Sequence, residues 1–282
     1  MFERLSRSWE LVKASAEVLR TDKELLLFPV VSGGLSVVVF VSFLVPVFLA
    51  GIFDASALHA QGFPLAGYVI GFLFYVVQYT VIFFCNTALV GAALIRLRGG
   101  DPTLADGFRI ASSRFGAIVG YAVVSATVGM VLRVVSERVG FVGKLVVGLL
   151  GFAWNVATYL VVPVLAVEDV GPIEAVKRSA SYLRKTWGEQ IVGNIGIGTA
   201  FGLLTFATIG SGVLLLVGAV ATGSVPLMIV VGVLLATALL AIALVSAALS
   251  GVYTAAVYRY AAEGQTGAFF DSAMVRDAFR QK

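Results

Sequence analysis

Residues 190–258 read QIVGNIGIGTAFGLLTFATIGSGVLLLVGAVATGSVPLMIVVGVLLATALLAIALVSAALSGVYTAAVY, without a single Asp, Glu, Lys or Arg. A helix of this composition has no polar face to turn towards water, so its solvent is hydrocarbon. About 20 such residues cross about 30 Å of bilayer core, and this stretch is far longer than one crossing. Thr222, Gly223, Ser224 and Pro226 supply turn chemistry inside it. The stretch therefore predicts two membrane helices, at about 190–220 and about 225–258.

Outward from there, the same absence of charge marks 25–53, 115–132 and 145–167, and a further run starting at Pro64 and ending at Ile95. The expected fold is all-α, a polytopic membrane protein with six transmembrane helices. Composition agrees: 59% of residues are hydrophobic and 13% charged, against about 45–50% and about 25% in soluble domains. The residues before the first run mix Arg4, Arg7 and Lys13 with Glu3, Glu10 and Glu17. A secretory leader has a purely basic start and a shorter apolar segment, so 25–53 reads as a retained helix.

Loop charge orients the chain. Seventeen of the 20 Lys and Arg fall on the side of the two termini, and only Arg133, Arg138 and Lys144 on the other. The positive-inside rule then places both termini in the cytoplasm of a cell-membrane protein. The basic balance does not point to nucleic acid, because the cations sit in short segments between apolar runs.

The segments before helices one, three and five share a pattern. Leu5, Trp9, Val12, Ala16 and Leu19 follow one helical face; Leu104, Phe108, Ala111 and Phe115 repeat its steps, as do Val176, Ala180, Leu183 and Trp187. Glu10, Val12, Lys13, Ser15, Ala16, Leu19 and Arg20 also match Glu174, Val176, Lys177, Ser179, Ala180, Leu183 and Arg184 without a gap. One amphipathic helix plus two membrane helices, three times over, is the simplest account. The units are approximately 1–98, 99–168 and 169–262 of a single membrane domain spanning 1–282, with 263–282 as a cytoplasmic tail. The three amphipathic helices are expected at the cytoplasmic interface.

The opening MFERLSRSWELVKASAEVLRTDKELLLFP and the stretch VEDVGPIEAVKRSASYLRKTW at 167–187 resemble a family of small prokaryotic membrane proteins of unknown function. The second stretch also resembles the membrane domain attached to some glycerophosphodiester phosphodiesterases. The resemblance implies a six-helix membrane protein. It implies no activity and no functional residues, and no catalytic barrel accompanies it here.

A search for chemistry finds little. The one His, His59, stands beside Asp54 in an outer loop, and the one Cys is Cys85. No metal-ligand spacing, phosphate-binding loop, catalytic set or cofactor motif emerges. No membrane core carries an ionisable residue, which argues against ion-coupled transport. Four amides do lie within spans: Gln78, Asn86, Asn155 and Asn194. They read as interhelical hydrogen-bonding groups, or as an intramembrane polar cluster around a central cavity. Gly67/Gly71, Gly116/Gly120 and Gly198/Gly202 are spaced for close helix approach, and Tyr68, Phe72, Tyr75 and Tyr79 form an aromatic stripe. Candidate lipid-headgroup contacts are Arg109, Arg114, Lys177, Arg178, Arg184 and Lys185. The expected function is non-enzymatic: lipid interaction, or a scaffold for protein partners or further copies of the chain. The alternative is a passive transporter or channel.

Overall fold

The computed structural model describes residues 13, 15–49, 65–185 and 190–265, and among these every element is helical. A helical stretch at 15–21 and a 3₁₀ turn, Lys23–Leu26, lead into α1 (Leu27–Leu49). There follow α2 (Leu65–Leu97), α3 (Leu104–Ser113), α4 (Phe115–Arg138), α5 (Phe141–Ala157), α6 (Val161–Val167), α7 (Pro172–Lys185), α8 (Gln190–Ala221) and α9 (Val225–Glu263). Six helical spans among the described residues are long and apolar enough to cross a membrane.

The turn expected within 190–258 is present. Gly223 has φ +67°, a left-handed conformation that suits glycine. Pro226 then occupies the first turn of α9, where no intrahelical N–H bond is lost.

Two boundaries differ from expectation. The third span does not stop at 132. It continues to Arg138, with Arg133 and Glu137 paired one turn apart on the helix surface at 3.1 Å. The fourth span is not one helix. It breaks at 158–160, between α5 and α6. Pro163 cannot donate to the carbonyl four residues earlier, and the chain turns there, with Val161 N–H bonding Thr158 O at 3.1 Å.

The hydrophobic core gathers at one end of the bundle, the end that carries most of the Lys and Arg. It comprises Leu25 and Phe28, Leu89 and Leu94 of α2, Ile118 of α4, Val161 and Leu165 of α6, and Val252 of α9. There α2, α6 and α9 meet in the middle, with α3 against α2 and α7 against α5 and α6. Gly251 permits a close approach of α9 to α2, since a Cβ on it would lie 2.4 Å from Leu89 Cδ2.

The far half is different. Helix α5 buries no residue, and α8 packs chiefly on α9. Phe141, Leu145 and Leu149 of α5 and Leu203, Phe206 and Leu214 of α8 are exposed. Such a surface suits acyl chains, in which apolar residues need no cover.

Close approach is not where the glycine spacing placed it. Gly71, Gly116, Gly198 and Gly202 face open space, and Gly120 is tight, against Pro172. Gly91, Gly107, Gly212 and Gly251 are tight against other helices instead. Spacing fixes a stripe on a helix but not which stripe meets a neighbour.

Candidate functional site at the basic end

The basic end is built from helix starts and helix ends. At the start of α3, Thr103 and Asp106 form a reciprocal cap: Asp106 N–H donates to Thr103 Oγ1 at 3.2 Å, and Thr103 N–H donates to the Asp106 carboxylate at 3.0 Å. Hydrogen bonds from the Thr103 side chain, then from its backbone, hold the Asp106 carboxyl below its usual range. Leu104 N–H, otherwise an orphan of the first turn, donates to Glu24 Oε2 at 3.1 Å. The start of α3 is thereby tied to the start of the first membrane span.

Helix α7 repairs the break in the fourth span. The hydroxyl of buried Ser179 donates to Ala157 O at 2.7 Å and accepts from Leu160 N–H at 3.0 Å. One side chain thus satisfies both backbone groups released where α5 ends.

Charged residues link the helix ends. Glu168, just after α6, accepts hydrogen bonds from Tyr182 and Tyr258 hydroxyls at 2.9 Å each and pairs with Arg178. This raises the Arg178 guanidinium above its ordinary value; burial, then Glu168, raises the Tyr182 hydroxyl. Buried Asp22 pairs with Arg96 at 3.2 Å. Arg259, also buried, donates to the carbonyl of Leu97 and contacts Glu263 at 3.4 Å, while Glu263 pairs with Arg98. The ends of α2, α6 and α9 are thereby cross-linked by charge.

These contacts divide the six candidate headgroup residues. Arg114 and Arg178 are engaged by Asp169 and Glu168, which lie side by side in the α6–α7 connection. Arg109, Lys177 and Arg184 project outward. Among the described residues, Arg109 and Lys177 pair with acids one turn away on their own helices, Asp106 and Glu174. Exposed pairs of this kind contribute at most about 1 kcal/mol, so both cations stay available. The Lys185 side chain lies outside the described residues.

Three of the four amides have described side chains. Asn86 on α2 and Asn155 on α5 are exposed, and Gln78 is half-buried, its Oε1 without a partner among the described residues. None of the three lines either described cavity. Depth along a helix can be read from sequence, whereas the angle at which a residue faces its neighbours depends on packing. The Asn194 side chain, like His59 and Asp54, falls outside the described residues.

Glu168, Tyr182, Tyr258 and Arg259 are the residues that sequence reading missed. An acid at the mouth of a charge-free span, with an Arg ten residues on, was the available signal. The T-x-x-D spacing of Thr103 and Asp106 was another.

A family model matches residues 65–269, from the start of α2 to just beyond α9, and its description is a family of unknown function, DUF6159. This agrees with the resemblance read from 167–187, and it carries no link to the phosphodiesterases. The comparison with curated proteins found no match.

Proposed function

The chain belongs to this family of unknown function, DUF6159, and from its own geometry we propose a non-enzymatic multi-pass protein that engages anionic lipid headgroups at its basic end. That end faces the cytoplasm of a cell membrane, where positive loops are retained. The observation that carries the reading is the division of its cations. Those between helix ends are consumed by Glu168, Asp169, Asp22 and Glu263. Arg109, Lys177 and Arg184 remain outward on two short helices that precede membrane spans.

A pseudo-threefold plan supports it. The aligned positions Ser15, Gly107 and Ser179 are all buried, as are Leu19, Ala111 and Leu183 four residues on. Helix α3 packs on α2 of the unit before it, and α7 on α5 and α6 of the unit before it. The turn Lys23–Leu26 touches α9, which closes the cycle. Each unit thus turns the same face inward and leaves its charged face to the interface. Against a passive solute path stands the packing of Leu89, Val161, Leu165 and Val252 across the basic end, all buried.

Native mass spectrometry of the protein in vesicles of mixed anionic and zwitterionic phospholipid tests the reading. Wild type should retain anionic lipid. Reversing all three outward cations (R109E, K177E and R184E) removes about 1 kcal/mol each near an anionic surface and should abolish that retention. Unchanged retention of anionic lipid, or solute flux through reconstituted vesicles, would sink it.

A further inference from the structure

The far half holds a cavity that the basic end does not explain. It has a volume of about 510 Å³ and lies among α1, α2 and α4, within the roughly 300–1,000 Å³ of small-ligand sites. Its walls are aromatic and small: Phe43 of α1, Phe74, Tyr75 and Tyr79 of α2, and Gly129 and Met130 of α4. Phe74 meets Phe43 edge-on at 5.5 Å and Tyr75 at 5.7 Å, a favoured geometry for aromatic pairs.

The charged groups on its wall are Arg133 and Glu137. Arg133 Nε donates to Glu137 Oε1 at 3.1 Å, and its Nη1 donates to the Tyr75 hydroxyl at 3.4 Å. Their side chains are 66% and 61% exposed, so each can exchange its partner at little cost.

Depth follows from helix rise. Arg133 is 18 residues past Phe115 at the base of α4, or about 27 Å, close to the far edge of a core about 30 Å thick. Ala126, at the inner limit of the cavity, is about 16 Å up, near the midplane. The space therefore runs from the middle of the bilayer to headgroup level, the course of one acyl chain in the far leaflet.

We propose that the crevice between α1, α2 and α4 binds one zwitterionic phospholipid, with an acyl chain among the rings, its phosphate on Arg133 and its ammonium on Glu137. The two side chains together are neutral, so a headgroup bearing both signs matches both, whereas a purely anionic one meets the Glu137 carboxylate.

The probe is a vesicle of equal parts ethanolamine phospholipid and anionic glycerol phospholipid, with bound lipid identified by native mass spectrometry. Wild type should retain one ethanolamine lipid that survives reversal of the three basic-end cations. Gly71→Leu and Gly129→Leu fill the crevice. Position 71 is open and the nearest atom at 129 is Tyr79 Oη, 3.9 Å away, so both variants should melt like wild type and lose that lipid. Arg133→Gln should lower its occupancy about ten-fold, the worth of one charged hydrogen bond. Glu137→Gln, on an exposed side chain that folding does not need, should shift the preference to the anionic lipid. Retention unaffected by both glycine variants would overturn the site, and equal retention of the two lipids by the R109E/K177E/R184E protein, whose basic end no longer holds anionic lipid, would overturn the headgroup assignment.

Discussion

Ser179 and Ser15 occupy the same place in two units and make opposite predictions. Ser179 satisfies two backbone groups at the α5–α6 break. Ser179→Ala should cost about 1–3 kcal/mol, measured by denaturation in detergent. Ser15 is equally buried, but its hydroxyl has no partner among the described residues, so Ser15→Ala should be neutral or stabilising in the same assay. Sequence alignment made the two serines equivalent. It could not distinguish them, because the difference lies in the helix each one faces. Asp106 gives a pH prediction. Its folded value is depressed by Thr103, so its share of stability is present above the ordinary carboxyl value and lost only as pH falls through the lower one. NMR titration of the Asp106 carboxyl should give a midpoint below that of a free aspartate, and Thr103→Ala should move it back up.

Among elements, the glycine contacts rank by what they meet. A Cβ on Gly107 would stand 2.7 Å from Ala88 O and 2.5 Å from Phe28 Cζ, whereas one on Gly251 meets the end of the Leu89 side chain. A backbone carbonyl inside a helix cannot yield, and a leucine terminus can rotate. Gly107→Ala should therefore destabilise by about 1–3 kcal/mol, with Gly251→Ala costing less, both read from thermal melts. The six spans were legible because hydrocarbon excludes charge, a rule that acts residue by residue. The break at 158–160 was signalled by Pro163 alone. The α3 and α7 segments were legible as helices, since one apolar face recurs at helical spacing. The glycine contacts were not, because the same small residue serves a joint, a cavity wall and a lipid-facing surface.

For the whole molecule, sidedness is the first check. Cys85 is buried, so single cysteines placed at Ser112 and Gly140 can be labelled against a silent background. An impermeant maleimide should reach them from opposite sides of a sealed vesicle, and labelling of both from one side would refute the arrangement. The unequal packing of the two halves has a mechanical consequence. With α2, α6 and α9 clenched at the basic end and α5 and α8 scarcely covered beyond it, the bundle resembles tongs fixed at the pivot. The tips, with fewer buried contacts to break, are the end that pressure from the surrounding lipid would spread first.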